Sequence, residues 1–366
     1  MIKVSVTNEM LKRIGIIDEH RFLLRTIDIP PVTHNRLRKN SKKKSSYASN
    51  KIEGNPLSEA QANEAIEKDE HKHLLKPEQE VRNYFLALNR LDEKLKKREP
   101  FSKKLLLEIQ AIVEKGAPQE KIGLRGPMPP GVLFAVYDSE TGNAEYIPPE
   151  YSEIPALLDE LVDYVNTTDD HPLIIAAVVH YQLVTIHPFE DGNGRTARLM
   201  SGYILNFYNY DFMGIGSLEE YFAYDQEEYY TSLQMGLPAL YYNGRENPPH
   251  PEIWVNYFLR MVELYAVKVC ELSASSAEDN IAGSISHLNA KEKEFLKYLL
   301  EKRLYEFAPI DVSKQLGVTN KTIINRCAKL SSTGFLVPNI VKERVRTYSL
   351  SDFAKSNGKQ IVEMLP

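Results

Sequence analysis

The chain has 366 residues, room for two or three domains with cores of their own. Hydrophobic residues make up 43% and charged residues 26%, ordinary for a soluble globular protein. A formal net charge of −5 argues against a protein that coats nucleic acid as a whole, though a local basic patch stays open. The two cysteines, Cys270 and Cys327, form no CxxC pattern, so they give no sign of a disulfide framework or a zinc site and suit a reducing compartment. "MIKVSVTNEM" lacks the layout of a signal peptide, and the longest apolar run, "LIIAAVV", is too short to span a bilayer. The expectation is a cytoplasmic protein with no membrane partner.

In chain order the periodicity is overwhelmingly helical. The basic run "HNRLRKNSKKKSS" holds six Lys/Arg and reads first as a solvated, flexible tether, with a partner or nucleic acid as the second reading. Ser58 with Gln61 three residues later is a capping-box pattern. In "KPEQEVRNYFLALNRLDEKLKKR", Val81, Phe85, Leu88, Leu91 and Leu95 set an inward stripe. The next helix is expected to open at Ser102 as N-cap and to stop at Gly116. "GVLFAVYDSETGNAEYI", residues 131–147, framed by glycines and prolines, predicts a β-hairpin.

Helices resume over "SEIPALLDELVDYVNTT" and "DHPLIIAAVVHYQLVTI", the second stopped by Pro188. A third starts at or just after Asn193 and runs to about Tyr208. Further helices cover "SLEEYFAYDQEEYYTSLQMG" and "PEIWVNYFLRMVELYAVKVCELSAS". "SSAEDNIAGSIS" reads as a linker of small and polar residues, and a compact unit begins near His287. That unit reads as a helix, then two helices either side of Gly317, then two short strands in "GFLVPN" and "VRTYSL". This order resembles a winged helix-turn-helix, on which Lys321, Asn325, Arg326 and Lys329 would face a DNA groove. Winged folds also serve protein contacts, and recruitment or dimer contact is the favoured use.

The chemistry concentrates in "IHPFEDGNGRTAR", polar residues set between two segments apolar enough to be core. A helix N-terminus offers unpaired N–H groups and a partial positive charge. Gly192 and Gly194 let the backbone around Asn193 curl into a nest that approaches an anion. Arg195 and Arg198, three apart, share a face of the first helical turn, and their planar forks match phosphate oxygens. Asp191 would repel phosphate unless a divalent cation sits between them, which suggests Mg²⁺. His187 ends the preceding helix, and a neutral imidazole can take a proton from an attacking hydroxyl. "GNGRTA" also fits the loose dinucleotide fingerprint, with Asp211 downstream, but Pro188, Glu190 and Asp191 stand where a buried strand would have to end. Neither a Walker-type nor a kinase-type ATP motif is present.

"HPFEDGNGRTAR" resembles the Fic family signature H-P-F-x-[DE]-G-N-G-R-x-x-R at every specified position, and the resemblance runs from about Pro30 to Ser273. It implies a mainly α, Fic-type helical core and transfer of AMP from ATP to a Tyr, Thr or Ser hydroxyl of a target protein or of the chain itself. By that resemblance His187 would be the general base and Asp191 the Mg²⁺ ligand. Gly192, Asn193 and Gly194 would cradle phosphates that Arg195 and Arg198 grip, and Phe189 would be a buried anchor. The hairpin resembles the family's flap, so Leu133, Phe134, Ala135 and Val136 would pair with a target segment as an added strand, beside the plainer reading of a structural cap.

"SNKIEG" resembles the family's inhibitory motif, [ST]-x-x-x-E-[GN], through Ser49, Glu53 and Gly54. Spacing of four puts Ser49 and Glu53 on one helix face, from which Glu53 would pair with Arg198 and misplace the triphosphate. In some relatives this glutamate also supports removal of AMP, which the sequence leaves open. The expected organisation is an N-terminal helical region over 1–100 carrying the inhibitory helix, a catalytic core over 101–273 and a winged-helix module over 287–366. The competing class is a transcriptional regulator whose nucleotide site senses and whose C-terminal module binds DNA.

Overall fold

The structure is a computed structural model that describes residues 1–27, 29, 31–68, 73–132, 134–137, 142, 144–237, 248–341 and 344–366; the side chains at 120, 145, 276–280, 341 and 344 are likewise outside the description. The chain divides into two units, Met1–Arg21 with His34–Val269, and Phe22–Thr33 with Cys270–Pro366.

The first unit draws on α1 (Asn8–Leu24), α2 (Pro31–Ile52), α3 (Glu59–Glu67), α4 (Lys76–Lys96) and α5 (Lys103–Val113). A hairpin of β1 (Val136–Tyr137) and β2 (Ala144–Tyr146) follows, antiparallel with Val136 opposite Tyr146. Then come α6 (Ile154–Thr167), α7 (Pro172–Ile186), α8 (Asn193–Phe207), α9 (Glu219–Tyr224), α10 (Gln226–Gln234) and α11 (Pro251–Ser286). α7 is apolar all round, and apart from Pro172 and Val184 every residue of it is buried, as a helix at the centre of a core requires. α8 packs along it. Trp254 of α11 donates its indole N–H to the Ala177 carbonyl, 2.8 Å away, and His180 is enclosed by Phe222, Trp254 and Phe258.

Local signals explain most boundaries. Ser58 and Gln61 form the expected capping box, and Ser102 accepts the Leu105 N–H at 3.2 Å. α5 ends at Val113 with Glu114 as its C-cap, and Gly116 takes its positive φ two residues further on. "SLEEYFAYDQEEYYTSLQMG" is broken at Asp225, whose carboxylate caps α10 through the Glu228 N–H.

Three expectations need correction. α4 is rolled relative to its predicted stripe: Val81, Tyr84, Ala87 and Leu91 are buried, while Phe85, Leu88 and Leu95 are half-buried. The roll lets Tyr84 reach the Glu219 carboxylate and lets Asn83 donate to the Val113 and Lys115 carbonyls at the end of α5. The basic run is no tether but part of α2, five of its six charges paired across helices: Arg38 and Lys42 with Asp92, Lys39 and Lys43 with Glu67, Lys44 with Glu220. The expected linker "SSAEDNIAGSIS" is the last third of α11. Alanine and serine are compatible with a helix, and Ile281 and Ile285, four apart, bury themselves in the second unit's core.

That second unit contains α12 (Ala290–Glu301), β3 (Glu306–Phe307), α13 (Pro309–Leu316), α14 (Asn320–Ser332), β4 (Leu336–Val341), β5 (Arg344–Leu350), α15 (Asp352–Ser356) and α16 (Gly358–Met364). Gly317, with φ 63°, ends α13 as expected. β5 lies between β3 and β4, antiparallel to both, so a short strand joins the two read from sequence. Phe295, Leu299, Phe307, Val312, Ile323, Cys327, Phe335 and Tyr348 are among the residues of its core.

Candidate active site

α7 and α8 converge on the loop 187–192. His187 is the C-cap of α7 in the left-handed region (φ 47°, ψ 58°), uncommon for a residue with a Cβ. Its N–H still reaches the Leu183 carbonyl at 3.1 Å, and Pro188 prevents a further turn. Nδ1 lies 3.2 Å from the Val184 carbonyl. A carbonyl only accepts, so that contact assigns the proton to Nδ1 and leaves the Nε2 lone pair available. Burial lowers the imidazole pKa to about 4, with Arg125 adding to the effect and the Val184 carbonyl opposing it. The ring is therefore neutral at physiological pH.

The loop is held by its own polar groups. Asn193 accepts the Phe189 N–H at 3.0 Å and donates to the Phe189 carbonyl at 2.9 Å, while Phe189 is buried. Both ends of that amide are thus committed to the loop, and an anion would meet backbone N–H groups rather than the Asn193 side chain. The positive φ falls on Gly192 (77°), and Asn193 and Gly194 are the first residues of α8, whose first turn no side chain caps. The arrangement leaves the N-terminus of α8 without a side-chain cap, at the far end of the short loop that His187 begins.

Three carboxylates face the two arginines. Asp191 accepts the Gly192 N–H at 2.8 Å, lies 3.2 Å from Arg195 Nη2 and 3.4 Å from Lys121 Nζ. Burial would raise its pKa, but Arg195, the Gly192 N–H and Lys121 outweigh that and hold it below the ordinary aspartate value. Glu114, buried at the C-cap of α5, lies 3.0 Å from the same Arg195 nitrogen. Its pKa is raised by burial, with Asp191 and Glu80 reinforcing and Arg195 opposing.

Glu53 lies 2.6 Å from Arg198 Nη2, while Ser49 accepts from Arg198 Nε through its hydroxyl at 2.8 Å and from Nη2 through its carbonyl at 2.9 Å. Burial works against the Arg198 charge, but Glu53 more than restores it and raises the pKa. α2 stops at Ile52, so Glu53 is not within the helix but at its cap. The Gly54 N–H bonds the Lys51 carbonyl at 3.0 Å and the Asn55 N–H bonds the Asn50 carbonyl at 3.0 Å, a Schellman turn with Gly54 (φ 79°) at its left-handed position. The glycine of "SNKIEG" therefore sets the reversal that aims Glu53. A Cβ on Gly194 would come within 2.4 Å of Glu53 Oε1, so this glycine makes room for the carboxylate.

Ser49 continues a stripe. Ser41, Ser45, Ser49 and Glu53 recur every four residues. Ser41 accepts the Gly216 N–H at 2.7 Å, and Ser45 donates to Glu219 at 2.7 Å. The buried residues of α2 are Ser41, Ser45, Ser46, Ala48, Ser49, Asn50 and Ile52, so the helix docks through a largely polar face. Behind Arg198 a separate cavity of about 130 Å³ is lined by Ser41, Ser45, Leu91 and Tyr203 among others. Of the 187–198 motif it includes Arg198 alone.

Of the hairpin, Phe134, Ala135 and Val136 are half-buried, and the Phe134 ring centroid lies 5.9 Å from that of His187; Leu133 lies outside the described residues. Sequence reasoning missed Arg125, which is buried, donates to the His187 carbonyl at 2.8 Å and places its guanidinium 4.7 Å from the Phe134 ring centroid. Glu114 and Lys121 were missed as well. The available signals were one arginine inside a Gly/Pro-rich stretch and an acid at a helix C-cap, where the dipole disfavours it. On α14, Lys321 and Asn325 are exposed, whereas Arg326 and Lys329 are half-buried and Arg326 lies 5.8 Å from the Phe295 ring centroid.

The donor set around Asp191 suits a hard divalent cation: a partly exposed carboxylate, with phosphate and water oxygens left to complete the shell. Among the described residues no group of three or more His, Cys, Asp or Glu is arranged to hold a metal by itself. Nor is any described helix long and apolar enough to cross a membrane.

An uncapped helix N-terminus, joined by a short loop to a neutral imidazole and carrying two buried arginines, defines a class of anion-binding site suited to phosphoryl chemistry. Residues 100–205 match the Fic/DOC family model. It is 26% identical over 298 residues to protein adenylyltransferase Fic of Aedes aegypti, covering 77% of this chain and 54% of the relative. To the protein of that name from Nematostella vectensis it is 30% identical over 206 residues, 55% of this chain and 45% of the relative. The chain thus spans about half the length of these relatives. Among solved structures, a Fic family protein from Desulfovibrio desulfuricans superposes with a TM-score of 0.60 at 20% identity, over 96% of this chain and 98% of that one. Fic-1 from C. elegans gives 0.54 at 23% identity, over 73% of each chain. The mainly helical fold is shared with both.

Proposed function

We propose that the chain is a protein adenylyltransferase restrained by Glu53. The observation that carries this reading is that His187, with its Nε2 lone pair available, and the uncapped N-terminus of α8 stand at the two ends of one short loop. Nε2 takes the proton of a target Tyr, Thr or Ser hydroxyl as that oxygen attacks the α-phosphorus of ATP. Pyrophosphate leaves in line, its charge met by the amides of Asn193 and Gly194, the Gly192 N–H being held by Asp191, and by Arg195 and Arg198. Asp191 would hold Mg²⁺, which neutralises phosphate charge when bound. Phe134, Ala135 and Val136 offer backbone to an extended target segment beside His187.

Glu53 supplies the restraint by occupying the guanidinium that the terminal phosphate needs, with Ser49 and Gly54 aiming it. Removal of AMP by water aligned on Glu53 belongs to the same reading. We take the working compartment to be the cytoplasm, and residues 1–100, 101–273 and 287–366 to be the inhibitory region, catalytic core and C-terminal module.

The C-terminal unit reads as a winged helix-turn-helix, with α13 and α14 as the helix pair and β4–β5 as the wing. One observation favours a DNA-binding regulator: residues 287–366 hold fourteen Lys/Arg against eight Asp/Glu in a chain that is acidic overall. Against it, Ile324, Val337, Ile340 and Val345 are exposed, and apolar side chains suit recruitment or dimer contact better than phosphates. Labelled ATP with Mg²⁺ separates the readings. Covalent AMP that depends on His187 supports the enzyme, whereas operator binding without turnover supports the regulator.

A further inference from the structure

The loop meets a second acid that the Fic signature does not contain. Glu114 lies 3.0 Å from Arg195 Nη2, with Asp191 3.2 Å from the same nitrogen, so two negative charges face one buried guanidinium. The contact lacks the form of a settled structural pair. The 3.0 Å approach of Glu114 Oε1 to Arg195 Nη2 lacks hydrogen-bond geometry, and Arg195 Nε is buried without a hydrogen-bond partner, whereas a bidentate Arg–carboxylate pair would engage parallel N–H groups. The carboxylate also lies where an anion would approach the backbone: a Cβ on Gly192 would come within 2.5 Å of Glu114 Oε1, as one on Gly194 would come within 2.4 Å of Glu53 Oε1. The two glycines flanking Asn193 thus each make room for a carboxylate, and each carboxylate belongs to a different arginine.

We propose that Glu114 is a specificity-determining competitor at the anion-binding site, holding Arg195 as Glu53 holds Arg198 and weakening triphosphate binding until phosphate oxygens take its place on Arg195. This rests on the reading of that site as an ATP site. Removing the Glu114 charge while keeping its shape relieves repulsion and releases donors, so affinity rises for ligands that reach Arg195. A purely structural Glu114 predicts the opposite, because a guanidinium that loses its positioning partner wanders.

The test is calorimetric binding of ATP and of AMP, with Mg²⁺, to the full chain carrying Glu53→Gly alone or together with Glu114→Gln or Glu114→Asp. Glu114→Gln is expected to tighten ATP binding about tenfold, the scale of one charge-assisted contact, and to leave AMP within twofold. Glu114→Asp, which withdraws the carboxylate by one methylene, is expected to give a smaller gain in the same direction and serves as the second arm should the glutamine variant not fold. In turnover the gain appears as a lower KM for ATP with kcat little changed. Unchanged or weaker ATP binding in either variant, or an equal gain for AMP, overturns the proposal. If Glu53→Gly alone binds ATP and the second substitution adds nothing, only the role of Glu114 falls. If Glu53→Gly binds no ATP, the nucleotide reading falls with it.

Discussion

Glu53 and Arg198 meet at 2.6 Å across 145 residues of sequence, the carboxylate at the C-cap of α2 and the guanidinium buried in α8. An acid at a helix C-terminus opposes the helix dipole, so Glu53 is held there by Arg198 and not by its own helix. Replacing Glu53 with glycine is expected to raise auto-modification in Mg²⁺ and ATP by ~10-fold or more, the scale of one charge-assisted hydrogen bond. Labelled AMP incorporation reads it. Equal labelling of parent and variant would leave the restraint without support.

His187→Ala is expected to abolish AMP transfer, with a loss on the order of 10²-fold or greater for a missing general base. ATP binding should stay within a few-fold, because the helix N-terminus and the arginines remain. Labelling that persists in this variant would remove His187 from the chemistry.

Gly54→Ala tests the turn rather than the charge. A Cβ at φ 79° costs roughly 1–2 kcal/mol, so the Schellman reversal loosens and Glu53 loses its aim. Activity should rise, by less than in Glu53→Gly, and Gly54→Asn, which tolerates the left-handed region, should stay nearer the parent. A Gly54→Ala variant as quiet as the parent would separate the turn from the restraint.

The pKa of about 4 at His187 fixes a sign for pH. The ordinary imidazole value is higher, so between the two the unfolded chain binds a proton that the native site refuses. The stability associated with His187 is fully present above the unfolded pKa of about 6.5 and is lost as pH falls through that value towards 4. The base form itself persists, so His187 should show no titration between pH 8 and pH 5 when its ring carbon shift is followed by NMR. A midpoint near 6.5 would contradict the burial argument.

The motif was legible because its chemistry is contiguous: Asp191, Gly192, Asn193, Gly194, Arg195 and Arg198 occupy one loop and the first two turns of α8. Glu114 and Arg125 were not legible, because they reach the site from other elements through tertiary packing. The α4 stripe failed for a related reason. Periodicity marks apolar positions, but the roll of the helix follows the polar partners of Tyr84 and Asn83, which no window on one helix displays. The linker reading over 275–286 failed because small polar composition describes a helix surface as well as a coil, and two isoleucines four apart decided between them.

The serine face of α2 has a consequence for reversibility. Small hydroxyls that bond across an interface can exchange those partners for water, and only Ala48 and Ile52 are apolar among the buried residues of this helix. Lifting it away would therefore expose from the helix itself mainly hydroxyl and amide groups, which water can satisfy, rather than an oily stripe. Such a face suits a catch that opens and shuts many times in the life of one molecule.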